Sequence, residues 1–157
     1  MASFDPELHI LNVLAEANTS LLQSDGTRLP GIMGRSGAGE RVSTGMRIGV
    51  DRIVLDPGSE FELHTHEGDH ILYVLASEGF IHVDGTDFRM CAGDTVYVPA
   101  HYPHGVKTDP QIDHPLEILA FGVPHTPLNS PHRMTMVDEE DLHSAVQSMT
   151  TPGQGRG

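Results

Sequence analysis

The sequence predicts a small all-β barrel or sandwich, and three observations carry that reading. Between residues 46 and 124 the chain breaks into short β-rich runs (MRIGVDRIVL, FELHTH, HILYVLA, FIHV, FRMC, TVYV and LEILAFGV) separated by the turn signals DPGS, EGD, DGTD and AGD. No helix-length segment lies between them, which excludes βαβ units and a parallel sheet. Asp84-Gly85, set between FIHV and FRMC, is a two-residue hairpin signal. A length of 157 residues supports one domain with its own core.

The flanking elements follow in order. Residues 1–45 form an N-terminal helix and a Gly-rich arm. Asp5 caps, Pro6 takes the first helical position, and Leu8, Leu11 and Ala15 share a face, so a helix is expected over residues 5–17. Residues 24–45 are rich in glycine and show no sustained period, so they are expected to be mostly loop. Residues 46–124 form the barrel. In the extension over residues 125–157, VDEEDLHSAVQSM reads as a short helix with Asp138 and Asp141 in capping positions, followed by a disordered tail.

Composition excludes several partners. Nine Lys plus Arg against 22 Asp plus Glu give a net charge of −13. That surplus repels a phosphate backbone or an anionic lipid surface, so neither nucleic acid nor membrane is expected as a partner. The longest apolar run, Ile71 to Ala76, is far short of the roughly 20 residues that cross a bilayer as a helix. The start MASFDPELH lacks the layout of a signal peptide, and a lone Cys91 allows no internal disulfide; both fit a cytoplasmic protein. Histidine is the unusual component, with 11 residues.

The chemistry concentrates in LHTHEGDH and VPAHYPHGV. Strand alternation points His64 and His66 the same way, with about 7 Å between their Cα atoms. Two imidazoles so placed can close on one ion at about 2.0–2.1 Å from each nitrogen. After Glu67-Gly68-Asp69, His70 opens the next strand, where a hairpin would return it beside the first pair. A fourth ligand must come from elsewhere, and His104 stands on a later strand beyond Pro99.

These two segments resemble the two motifs of the cupin superfamily of small β-barrels. In the first, Gly58 precedes His64-Thr65-His66 by five residues, and His70 stands where the family usually has Glu and Ser77 where it has Gly. In the second, Gly93 precedes Pro99-Ala100 by five residues, His101 replaces a Gly, His104 follows, and Thr108 replaces an Asn. The resemblance covers about residues 46–124. It implies a cupin (double-stranded β-helix or jelly-roll) barrel with short flanking helices, and a metal role for His64, His66, His70 and His104. It also implies a homodimer, and a strand-rich domain with an N-terminal extension can exchange that segment with a neighbour and so protect exposed strand edges.

Four neutral imidazoles in place of three and a carboxylate leave the full 2+ charge on a divalent ion, which strengthens it as a Lewis acid. The expected cofactor is therefore Zn2+, with Fe2+ as the alternative. The all-histidine single-domain pattern is similar to cupin polyketide cyclases, which implies a cyclase or lyase acting on the carbonyl of a small molecule in bacterial secondary metabolism. An iron(II) dioxygenase cleaving a ring or oxidising a thiol is the alternative, and a metal-dependent sensor without turnover is a third. For acid-base work the candidates are Tyr102, beside His104; Glu62, whose parity matches His64; and His82, on FIHV. Arg52 shares parity with Met46, Ile48, Val50 and Val54, and would anchor a substrate carboxylate if that face lined the barrel. His101 suits a solvated turn with positive φ. His9, His114, His125, His132 and His143 are expected on the surface.

Overall fold

A computed structural model describes residues 4–39, 47–138, 140 and 142. Among these residues one short helix, α1 (Pro6–His9), precedes eleven strands: β1 (Thr19–Leu22), β2 (Arg28–Ser36), β3 (Gly49–Leu55), β4 (Glu60–Thr65), β5 (Asp69–Ala76), β6 (Glu78–Val83), β7 (Thr86–Cys91), β8 (Thr95–Val98), β9 (His104–Lys107), β10 (Leu116–Val123) and β11 (Thr135–Met136). They form two antiparallel sheets, ordered β1-β2-β3-β10-β5-β8 and β11-β4-β9-β6-β7.

The core lies between the sheets. Strand β3 alternates regularly, burying Gly49, Asp51, Ile53 and Leu55, and β10 does the same with Leu116, Ile118 and Ala120. Leu21, Ile32, Leu55, Val74 and Leu116 are essentially sealed from solvent and meet Phe61, Ile81 and Met90 of the facing sheet. The Asp84-Gly85 turn has positive φ at both residues (51° and 73°) and joins β6 to β7 with Val83 opposite Thr86, as a type I′ hairpin requires.

Three expectations need correction. The helix over residues 5–17 shrinks to Pro6–His9. Asp5 does cap it, accepting from the Glu7 amide at 3.0 Å, but Leu8, Ile10 and Leu14 are exposed. Without a buried face, so short a helix has nothing to extend it. The Gly-rich stretch is loop only in part: within it residues 28–36 form β2, which with the preceding β1 extends the six-stranded sheet, and residues 40–45 lie outside the described residues. Its glycines hid the pattern. At Gly34 a Cβ would meet the Leu128 and Leu21 side chains at 2.8–3.2 Å, so the residue is small because the core packs on it. Finally, β4 and β5 do not form a hairpin; they belong to different sheets, so His70 approaches from the sheet opposite His64. In the predicted C-terminal helix, Glu140 and Leu142 are helical; the rest of that helix, the tail, His143 and Met46 lie outside the described residues.

Candidate metal centre

Strands β4 and β9 pair with His64 directly opposite His104. His66 follows at the end of β4, and the ligand-capable nitrogens of His64, His66 and His104 all lie within 4.8 Å of one another. Each of the three rings is oriented by its backbone. The Nδ1–H groups of His64, His66 and His104 donate to the carbonyls of Glu62 (2.7 Å), Gly68 (2.8 Å) and Tyr102 (2.9 Å). That bond fixes the tautomer and leaves Nε2 as a bare lone pair aimed inward. Two loop contacts hold the motifs together: the His101 amide donates to the His66 carbonyl at 2.8 Å, and the Ala100 amide to the Asp69 carboxylate at 2.8 Å.

The arrangement fits a divalent ion on its own geometry. The Nε2 atoms of His66 and His104 stand 3.2 Å apart. With both Nδ1 protons committed to carbonyls, two lone pairs face each other, an arrangement that a cation between them relieves. Nitrogens sharing one ion at about 2.1 Å stand roughly 3.0–3.4 Å apart. Desolvation is the largest influence on all of these rings. It holds His64 well below its usual range, lowers His104, and pushes His66 down to about 4, so all three present neutral imidazole.

His70 differs from the other three. Its ring stacks on His66 at 3.7 Å with a 19° interplanar angle and stands outside the converging set. Burial, followed by the neighbouring His66, pushes it down to about 2. A Cβ at Gly122 would lie 3.0 Å from its Nε2, so β10 packs closely behind it.

The three histidines open on a cavity of about 40 Å³, lined by the apolar Ile53, Phe61, Leu72, Val106, Ile118 and Ala120 together with His70, Arg133 and Met134. No carboxylate lines it among the described residues.

The other predicted site residues lie elsewhere. Glu62 is exposed on the outside of β4, because the β4–β9 register shifts between Phe61 and His64 and breaks the parity that placed it beside His64. Tyr102 is exposed, and its hydroxyl donates to Asp84 at 2.9 Å. Their main-chain carbonyls accept from the rings of His64 and His104. His82 is buried on the outer face of β6, where its ring pairs with Asp87 beside Lys107. Arg52 pairs with Glu117 at 2.7 Å and faces away from the cavity, since the opposite parity of β3 turns inward. His101 is exposed with a φ of 61°, as its turn position suggested. His114 and His132 are exposed and His9 half-buried, but His125 is buried.

Sequence reasoning missed a buried group behind the cavity. Asp51 is wholly buried, and its Oδ2 accepts from His125 Nε2 and from the Arg133 guanidinium, each at 2.9 Å. The available signal was an acidic residue on the inward parity of an apolar strand. Nothing local marked Arg133 or His125, which reach Asp51 only through the fold.

Comparison with known proteins agrees with the fold. Residues 51–121 match the cupin domain. The polyketide cyclase RemF from Streptomyces resistomycificus superposes with a TM-score of 0.64 at 16% identity, over 87% of this chain and 91% of that one. The fold is a cupin barrel. A predicted oxalate decarboxylase from Thermotoga maritima has the same fold at a TM-score of 0.56 and 24% identity, covering 73% of this chain and 97% of the other. In sequence, the oxalate-binding protein of Thermotoga maritima is 39% identical over 70 residues, 44% of this chain. The chain spans 56% of the length of that curated relative. Among the described residues no helix is long and apolar enough to cross a membrane.

Proposed function

We propose that this protein of cupin fold is a metal-dependent enzyme acting on a small carbonyl compound, a lyase or cyclase with zinc as its ion. The observation that carries the reading is the set of three oriented, unprotonated Nε2 atoms converging on a cavity with apolar walls. Three neutral protein ligands with an open position are the pattern of catalytic zinc. A divalent ion held there would supply Lewis acidity to a carbonyl and favour loss of a proton from the adjacent carbon. His64, His66 and His104 hold the ion, the apolar walls exclude water, and His70, kept neutral by burial, buttresses His66. The likeness of fold to a polyketide cyclase supports the carbonyl class. A cavity of about 40 Å³ admits the reacting end of such a substrate rather than a whole polycycle.

A second reading, an iron(II) dioxygenase, draws on the position of His70 outside the converging set, because three ligands leave more open positions for substrate and O₂. Elemental analysis of untagged protein purified without chelators separates the two. About one zinc per chain, lost in His64→Ala and His104→Ala and retained in His70→Ala, is the expected result. Iron at that stoichiometry, with oxygen uptake on catechols or thiols, favours the dioxygenase; no metal overturns both.

The working unit proposed is a homodimer. The outer face of the six-stranded sheet supports it: Ile71 lies between Tyr97 on β8 and Phe121 on β10, and all three are exposed. Phe4, Leu8, Ile10 and Leu14 of the N-terminal segment are exposed as well, giving an exchanged arm apolar contacts to make. Light scattering that finds only a 17.0 kDa species overturns the dimer.

A further inference from the structure

Arg133 is an unusual residue to find at the cavity. It is only 6% exposed, yet it lines the same cavity as the three histidines, on the segment that leads into β11. A guanidinium does not lose its charge on burial, so it must be compensated in place. Two named partners hold it: the Thr126 carbonyl and Asp51 Oδ2. Those contacts account for two of its five N–H donors.

The support behind it is expensive. Asp51 is fully buried, its Oδ1 has no hydrogen-bond partner among the described residues, and its Oδ2 is shared between Arg133 and His125. His125 itself fits only because residue 49 is glycine, where a Cβ would meet the imidazole at 2.5–2.9 Å. A half-satisfied buried carboxylate costs stability and adds nothing to the apolar core. What it does is hold Arg133, a residue that lines the cavity.

Charge bookkeeping then decides the ligand. A divalent ion on neutral imidazoles contributes 2+, Arg133 adds 1+ and Asp51 offsets one charge, so the centre keeps an excess of about two positive charges in a low-dielectric pocket. In a chain of net charge −13, no carboxylate lines that pocket among the described residues. The protein leaves the counter-charge to the ligand.

We propose that Arg133 is the anion-binding residue of this cavity, and that its ligand is a small carboxylate bearing a second oxygen: the acid group on the guanidinium, the neighbouring oxygen toward His64, His66 and His104. Asp51 and His125 are positioning residues for that guanidinium. The proposal rests on the metal reading above and narrows its substrate to oxo-acids and related carboxylates. It also explains why Arg52, on the outer face of the same strand as Asp51, is not needed for this task.

The test uses the full-length protein loaded with cobalt(II), whose visible spectrum reports ligands at the centre. Pyruvate is the probe, and its methyl ester is the neutral control. Wild type should bind pyruvate at least about 30-fold more tightly than the ester, the worth of a charge-assisted contact. Arg133→Gln should lose that preference while cobalt content stays within twofold, and Asp51→Asn should weaken pyruvate by an intermediate factor. Equal affinity of wild type for acid and ester overturns the proposal without any variant having to fold, as does pyruvate binding within threefold of wild type in folded, cobalt-loaded Arg133→Gln. A wild type that takes up no cobalt or zinc overturns the metal reading instead, so the two failures are distinct.

Discussion

His66 and His104 present their Nε2 lone pairs to each other at 3.2 Å, each with its Nδ1 proton spent on a backbone carbonyl. The fold thus holds a repulsive pair in place, and a bound cation converts it into an attractive one. Chelation should therefore destabilise the protein. At free metal near 1,000 times the dissociation constant, linkage is worth about 4 kcal/mol. For a domain of this size that lowers Tm by about 8–16 °C. Calorimetry with and without chelator checks it, and His104→Ala should be insensitive to the chelator. A chelator effect of the same size in both proteins would place the stabilising ion elsewhere.

The metal-free protein should also lose stability in mild acid. Burial lowers His66 to about 4 and His70 to about 2, against about 6.5 in an unfolded chain. Below pH 6.5 the unfolded chain takes up protons that the folded one refuses, so stability is full above 6.5 and is lost as pH falls toward those folded values. Each such histidine steepens the loss by up to about 1.4 kcal/mol per pH unit. Urea midpoints of chelated protein between pH 7 and 5 should fall more steeply for wild type than for His70→Gln. The carboxylates common to both proteins cancel in that comparison, and parallel curves would contradict the buried, neutral state of His70.

His101 occupies a left-handed turn position at φ 61° and is exposed. A non-glycine residue there costs roughly 1–2 kcal/mol, partly offset by the greater freedom glycine gives the unfolded chain. His101→Gly should raise stability by about 0.5–1 kcal/mol in urea titration and leave metal content unchanged. Loss of metal in that variant would instead assign His101 a role at the centre.

What could be read ahead of the fold was whatever depends on residues close in sequence. The alternation that aims His64 and His66 together, the Asp84-Gly85 hairpin and the strand carrying His104 are all of this kind, and each appears in the structure. Relations set by pairing across sheets were not legible. The register shift between Phe61 and His64 turned Glu62 outward, the assignment of β4 and β5 to separate sheets moved His70 to the opposite wall, and the inward parity of β3 went to Asp51 rather than Arg52. The buried group of Asp51, His125 and Arg133 joins residues up to 82 positions apart in sequence and has no local pattern at all.

Gly68 joins local and distant constraints, and it carries the last prediction. Its carbonyl accepts the Nδ1 proton of His66 at 2.8 Å, setting which nitrogen of that ring faces the centre. The same residue is pressed against β10's end, where a Cβ would sit 2.4 Å from the Pro124 carbonyl oxygen and 3.1 Å from Val123 backbone atoms. Backbone atoms cannot swing aside as a side-chain tip can, so Gly68→Ala must shift the loop and with it the carbonyl that orients His66. Loss of such an outer hydrogen bond typically weakens metal binding by about 10–100-fold. Competition against a fluorescent zinc chelator should show a loss of that size, although the ligands themselves are untouched. Unchanged affinity would mean that His66 keeps its orientation without the Gly68 carbonyl, and that the rigidity of β4 alone aims its Nε2.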